Sequence, residues 1–261
     1  MRCSANLSPS RGTQRGLSLI ELMVAMVIGL ILILGVTQIF INNQKSYLFQ
    51  QGQMGNQENS RFALALLNQE LSKAGYRSKP IRTFPAGSGQ GCTFPEGAAV
   101  VAAGANALCI RYQAANKGDV NCQGTALAGG DQDTIITPYG QNNPIVVEKI
   151  SYDSGSSSIL CSSGSTPQQL VTGVAALNFD YGSGQSDLKT VSGYSTTPGG
   201  TIGAVRYTIL MMSPGSSSLR DTAAASQALT EWKNRFGSSP VETNQIYQIV
   251  QGTTMIRNQM Q

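Results

Sequence analysis

The residues with chemical potential in this chain are few: one carboxylate, Glu21, stranded in an apolar run, and five cysteines, Cys3, Cys92, Cys109, Cys122 and Cys161. There is no histidine, which removes Ser-His-Asp and Cys-His catalysis and every imidazole metal ligand. The cysteines form no Cys-X-X-Cys, and their spacing does not fit a zinc ribbon, so no metal centre is expected. Cys92, Cys109, Cys122 and Cys161 allow three disulfide pairings. Asp131-Gln132-Asp133 beside Gly129-Gly130 offers too few oxygens for calcium and reads as a solvated turn. Gly87-Ser88-Gly89-Gln90-Gly91 lacks the lysine and the strand-to-helix setting of a phosphate loop. Trp232 with Phe236 reads as the apolar face of a short helix, with an exposed partner site as the alternative. Nothing here would sustain hydrolysis or group transfer. A non-enzymatic chain without cofactor is the expectation.

Composition points the same way. Only 18 basic and 14 acidic side chains occur in 261 residues, alongside 29 glycines. Low charge with abundant Gly and Ser fits a secreted, loop-rich β protein better than a cytosolic α/β enzyme or a coiled coil. The net charge of +4 is uneven, because Arg2, Arg11 and Arg15 stand in the first 16 residues, which carry no acid. From Phe84 onward the chain holds 9 basic and 11 acidic residues, so no nucleic-acid partner is indicated.

Glu21 must be positioned by the element that contains it. In Leu17–Ile41 only Ser18, Glu21, Thr37 and Gln38 are plainly polar, and Leu22–Val36 is unbroken apolar sequence. As a helix this segment would reach ~37 Å, enough for a hydrocarbon core of ~30 Å. A backbone in lipid must bond internally, which leaves a helix. The preceding arginines place the N-terminus on the cytoplasmic side. The sequence after the span, Thr37-Gln38-Ile39-Phe40-Ile41-Asn42-Asn43, makes a poor signal-peptide cleavage site. A plain anchor leaves Glu21 unexplained, since an acid at mid-bilayer is disfavoured by ~2.5–3.5 kcal/mol.

The helix is expected to continue from Leu17 to Ala74 and to stop at Gly75, with Pro80 beyond. Leu64, Leu67, Leu71 and Ala74, with Phe62 and Leu66 beside them, mark a buried face, and Gly52 and Gly55 are the expected weak point. Alternating runs then predict strands at Ala107–Gln113, Thr134–Thr137, Val146–Tyr152, Ser158–Cys161, Ala175–Tyr181, Ala204–Met212 and Ile246–Ile256. Leu177, Phe179 and Tyr181 alternate with Asn178 and Asp180, the pattern of a half-buried strand. Asp221–Phe236 reads as a short amphipathic helix capped near Asp221. The fold class is α+β: a long N-terminal helix, its first half membrane-spanning, packed on an antiparallel sheet.

Arg15-Gly16-Leu17-Ser18-Leu19-Ile20-Glu21-Leu22 resembles the type IV prepilin signature: a basic leader, Gly, a hydrophobic residue, and Glu at the fifth mature position. The resemblance implies a pilin-like fold and cleavage between Gly16 and Leu17 by a membrane prepilin peptidase, with N-methylation of Leu17. Cys3 would leave with the leader. Glu21 would lie one helical turn from the new amine, so the amine of one subunit could pair with the Glu of its neighbour and fix register. The implied domains are a leader at 1–16, a transmembrane and filament-core helix at 17–41, a continuation into the head at 42–76, and a β-rich head at 77–261. Many major pilins carry a Pro inside this helix, and here none occurs between Pro9 and Pro80.

Asn59-Ser60-Arg61-Phe62-Ala63, Glu70-Leu71-Ser72-Lys73-Ala74-Gly75-Tyr76 and Thr253-Thr254-Met255-Ile256-Arg257-Asn258 are similar to segments of PilW-type minor pilins. That likeness implies a structural subunit that primes assembly at or near the pilus tip and serves twitching motility and adhesion. Its partners would be other minor pilins, the major pilin, the prepilin peptidase, the inner-membrane assembly platform and a tip adhesin. The protein would sit in the inner membrane with its head in the periplasm, then on the cell surface in the pilus. An oxidising periplasm favours disulfides. The favoured pairing is Cys92–Cys109, closing the loop before a strand, and Cys122–Cys161, whose spacing resembles that of PilW-type heads. The J-type pseudopilins of type II secretion share this layout and form the alternative reading, and an anchored enzyme or lectin-like head is a third.

Overall fold

A computed structural model describes residues 16, 18–79, 83–116, 118–127, 143–164, 166–184, 191–214, 219–220, 226–238 and 240–259. Contacts divide the chain into two compact units, the first ending at Leu48 and the second running from Phe49 to Gln261. Helix α1, Leu19–Lys73, contributes to both. Its 55 residues contain no proline, and Lys73 in the last turn complements the helix C-terminus. The helix ends at Gly75, where φ is 78° and the amide donates to the Arg111 carbonyl at 2.9 Å.

Within the second unit, α1 buries Gly52, Asn56, Ser60, Ala63, Leu67, Glu70 and Leu71. The steps of three and four residues make one stripe. The face read from sequence holds at Leu67, Leu71 and Ala74, whereas Leu64 and Leu66 are only partly buried and Phe62 is 53% exposed. Gly52 and Gly55 do not interrupt the helix. Gly52 is buried, and a Cβ there would lie 2.7 Å from Leu219 Cδ1 and 3.2 Å from Ile246 Cδ1. The missing side chain is what lets Leu219 and Ile246 approach. Asn56 fastens the same contact by donating to the Ile246 carbonyl at 3.1 Å.

Eleven strands are seen among the described residues: β1 (Gly87–Gly89), β2 (Cys92–Phe94), β3 (Val100–Ala102), β4 (Ala107–Gln113), β5 (Ile145–Asp153), β6 (Ser158–Ser162), β7 (Gln168–Thr172), β8 (Val174–Gly184), β9 (Val191–Ser195), β10 (Ile202–Met212) and β11 (Tyr247–Met255). They form not one sheet but three, all antiparallel: the hairpin β1-β2, a five-stranded sheet β3-β4-β5-β6-β7, and a four-stranded sheet β11-β10-β8-β9. The glycine-rich stretch at 87–91 is the β1-β2 hairpin, with Gln90 and Gly91 both at positive φ in its two-residue turn. The three-residue strands β1, β2 and β3 escape the sequence reading because they are too short for an alternation, and β7 and β9 because their side chains are mostly polar and exposed. Thr134–Thr137 and Asp131-Gln132-Asp133 lie outside the described residues.

One core joins the two large sheets to α1. It packs Ala63, Leu67 and Leu71 against Leu108, Ile110, Ile150, Phe179, Val205 and Ile209. Tyr181 Oη crosses between the sheets to the Ala107 carbonyl at 3.0 Å. Strand β8 is not half-buried as expected, because Asn178 and Asp180 are each only 7% exposed. The polar face of β8 is satisfied internally: Asn178 donates to Asp180 at 3.0 Å, and Arg206 donates to Asp180 through Nε at 3.0 Å and Nη2 at 2.9 Å. The second helix, α2, spans Gln227–Phe236 and so starts later than expected, with Ser226 at its N-cap and Asp221 outside the described residues. Trp232 is 3% exposed and packs with Leu210, Ala175 and Leu229, which makes it core rather than a partner surface. A 3-10 turn, Arg257–Gln259, follows β11.

Candidate functional site

The candidate processing and anchoring site is the start of α1. Gly16 is exposed and outside the helix, and a Cβ there would meet nothing within 4 Å. Ser18 precedes the helix, and its carbonyl accepts from the Leu22 amide at 3.2 Å. Glu21 is then in the first turn, where the unpaired amides of a helix start favour a carboxylate. Arg15 and Leu17 lie outside the described residues.

From Ser18 to Gln51 every side chain is exposed except at the half-buried Gly29. Leu19 is 76% exposed, Leu34 70% and Phe40 65%. This is the helix long and apolar enough to cross a membrane found among the described residues, and none of its apolar window is buried. Burying apolar surface is worth ~25 cal/mol per Å², so such a helix gains greatly from lipid or neighbouring helices. The polar interruptions are satisfied locally, with Thr37 Oγ1 donating to the Ile33 carbonyl at 2.7 Å and Gln38 to Asn42 at 3.2 Å.

The second unit holds both disulfides: Cys92 is bonded to Cys109, with Cα atoms 6.4 Å apart, and Cys122 to Cys161, at 6.2 Å. Beside the second lies a buried polar cluster that the sequence reading missed. Glu148 is fully buried, and its Oε1 accepts from Tyr112 Oη at 2.6 Å and from the Cys122 amide at 2.8 Å. Oε2 finds no partner among the described residues. Burial pushes the Glu148 carboxyl above its ordinary range, and burial together with Glu148 raises the Tyr112 phenol. Glu70, also buried, pairs with Lys73 at 2.7 Å, and the Lys73 ammonium stands 5.8 Å from the Tyr112 ring centre. A signal was present in the sequence: Val146, Glu148 and Ile150 share one face of β5, so an inward pair of apolar residues carries the carboxylate inward between them.

A cleft of about 450 Å³ opens beside this cluster, with Lys73, Tyr76, Tyr112, Asn116, Asp119 and Asn258 in its wall. Its charged groups are engaged by the protein itself. Asp119 accepts from the amides of Ala115 at 2.8 Å and Asn116 at 2.9 Å, and Lys73 is held by Glu70.

Comparison with known proteins adds two findings. The prokaryotic N-terminal methylation motif matches residues 11–37, a stretch that holds Arg15, Gly16, Leu17 and Glu21. Among solved structures, a type IV-like pilin from Thermus thermophilus aligns at 10% identity and a TM-score of 0.43, over 78% of this chain and 96% of that one. No curated protein matches the chain. The prokaryotic N-terminal methylation motif thus stands at the head of an exposed helix that is long and apolar enough to cross a membrane, and that helix runs into an α+β unit of antiparallel sheets.

Proposed function

We propose that this protein is a minor pilin of the type IV pilus, a non-enzymatic subunit that primes assembly and sits at or near the tip, where it serves twitching motility and adhesion. The observation that carries the reading is the methylation motif over 11–37 coinciding with an exposed apolar helix whose first turn contains Glu21. The leader would be 1–16, the membrane and filament-core segment 17–41, the continuation 42–76 and the head 77–261. Prepilin peptidase would cut after Gly16, and Leu17 would be N-methylated. Glu21 would pair with a neighbouring amine, joining the chain to other minor pilins and the major pilin at the inner-membrane platform. The head would stand in the periplasm and, after assembly, at the cell surface beneath an adhesin.

The test is the mass of the chain from native membranes. A methylated start at Leu17, 245 residues long, is expected, and Gly16→Val should leave only the precursor. A Gly16→Val chain still beginning at Leu17 would overturn the cleavage assignment. The methylation motif ends at residue 37 and is silent about the head, which keeps a J-type pseudopilin as the second reading. Deletion separates them: loss of pili with protein export intact supports the minor pilin, and the reverse supports the pseudopilin.

A further inference from the structure

The two large sheets end in edges of different kinds. β3 is three residues long, and the five-residue edges β7 and β9 meet their neighbours with a break in register, at Ile159/Leu160 and at Ser183/Gly184. Short length and bulges keep a sheet edge from recruiting another strand. β11 has neither protection. It is nine residues long, pairs with β10 through nine consecutive partners without a shift, and its sequence, YQIVQGTTM, holds no charge and no proline.

The ladder shows which backbone groups of β11 are free. The Ser213 amide donates to the Ile246 carbonyl at 2.9 Å, and the Ile256 amide to the Gly203 carbonyl at 2.8 Å. Bonded and non-bonded pairs alternate along an antiparallel ladder. The even-numbered residues between these ends therefore bond to β10, while Tyr247, Ile249, Gln251, Thr253 and Met255 turn their amides and carbonyls outward. Among the described residues no strand pairs with that side. Tyr247 and Ile249 pack against the Trp232 cluster, but Gln251, Thr253 and Met255 are exposed.

A groove runs along this exposed part. A cavity of about 400 Å³ is walled by Asn68 and Ser72 of α1 and by Thr253, Met255 and Arg257. Its wall is fixed before anything docks, because the Thr254 hydroxyl, in a residue 6% exposed, donates to Asn68 at 2.8 Å. The cavity shares Ser72 and Asn258 with the cleft beside Tyr112. Arg257 is exposed and has no carboxylate partner among the described residues. We propose that the outer edge of β11 is a docking site for one extended segment of another protein, which adds as a fifth strand along 251–255 and sets a carboxylate on Arg257.

Backbone bonds to the edge supply the affinity, and the groove selects the side chains. The charge selects the chemistry: an unpaired guanidinium with no acid in the cavity wall favours an acid-bearing segment. The groove selects a single segment over a second copy. A copy offering its own β11 would bring the Asn68 and Ser72 wall of its own α1 into the same space. The surface lies on the second unit and does not depend on the filament role of the N-terminal helix.

The full chain, purified in detergent, is first followed by amide hydrogen exchange. Gln251, Thr253 and Met255 should exchange fast, and Val250, Gly252 and Thr254 slowly. Random peptides as long as β11, displayed on phage, are then panned against it, and the best binder is synthesised with a fluorescent label. Acid-bearing peptides should be enriched, and binding should slow exchange at the three outward amides. Thr253→Pro removes an outward N–H and no ladder bond, and should weaken binding by at least about tenfold. Arg257→Gln should weaken it by about tenfold. Because the proline could disturb the strand, N-methylation of alternate peptide amides is the second probe and leaves the chain intact: one set of positions should abolish binding and the other spare it. Outward amides already protected in the free chain, a dimer in sedimentation that Thr253→Pro dissolves, no enriched peptide, or an affinity indifferent to Thr253→Pro, to N-methylation or to Arg257→Gln would each overturn the proposal.

Discussion

Arg111 shows how much one residue organises here. It is 2% exposed and donates to the carbonyls of Ala98 at 2.6 Å, Pro85 at 2.7 Å and Pro95 at 2.9 Å. Its guanidinium is also 4.8 Å from the ring centres of both Phe84 and Phe94. The cation gathers a loop that has no regular structure to pair its carbonyls, and burial lowers its proton affinity in return. Arg111→Met keeps the apolar stem and strands three carbonyls, so unfolding in urea should show a loss of about 3 kcal/mol. Asp153 is the surface counterpart. Its carboxylate accepts from the Ser156 hydroxyl and amide and from the Gly155 amide, which holds it below its ordinary value of 3.8. The unfolded chain thus binds the proton more tightly. The contribution is complete above the ordinary value and fades as pH falls through the lowered one. Asp153→Asn should flatten the acid limb of the thermal-stability profile and leave neutral pH nearly unchanged.

The elements divide between those set by their own sequence and those set by their neighbours. Helix α1 is continuous through Gly52 and Gly55 because the second unit packs against them, with Pro214, Leu219 and Ile246 filling the space that side chains would take. Gly52→Leu should destabilise by ~1–3 kcal/mol through overpacking. Gly52→Ala should come out near neutral, since helix propensity returns ~1 kcal/mol and the ends of Leu219 and Ile246 can turn aside. Urea unfolding read by Trp232 would separate the two, and an equal effect would show that the close approach is not what fixes Gly there. Strand β8 is set by its neighbours too. Asn178 and Asp180 look solvent-facing in sequence, yet Arg206 on β10 satisfies the acid and lets both be covered.

For the whole molecule, the decisive feature is an apolar helix whose first half is wholly exposed in the isolated chain. A bilayer would cover the side chains of Leu22–Val36, but on the proposed function it would leave Glu21 near the interface in need of a partner. Glu21→Ala should therefore leave membrane insertion intact, since it removes a polar group from an apolar helix. If the chain is a filament subunit as proposed, its incorporation should fall at least tenfold, because a neighbour's amine would then enter the bundle unpaired. Immunoblots of sheared pili against membrane fractions would measure the ratio, and normal incorporation would count against the pairing.

The N-terminal half was legible in the sequence because its determinants are local. Length and hydropathy each act within a few turns of one helix. The long strands β4, β5, β8, β10 and β11 were legible too, since seven to eleven residues rich in apolar and β-branched side chains outweigh any single exception. What only the tertiary structure decided was partnership. The sequence could count four cysteines and place Glu148 between two inward-facing residues, but it could not bring Cys122, Cys161 and Glu148 together. Nor could it tell that Phe62 faces outward while Ser60 and Asn56 face in. Those outcomes depend on contacts between segments separated by tens to nearly two hundred residues, and no local pattern encodes which distant carbonyl, sulfur or ring will arrive to meet a given side chain.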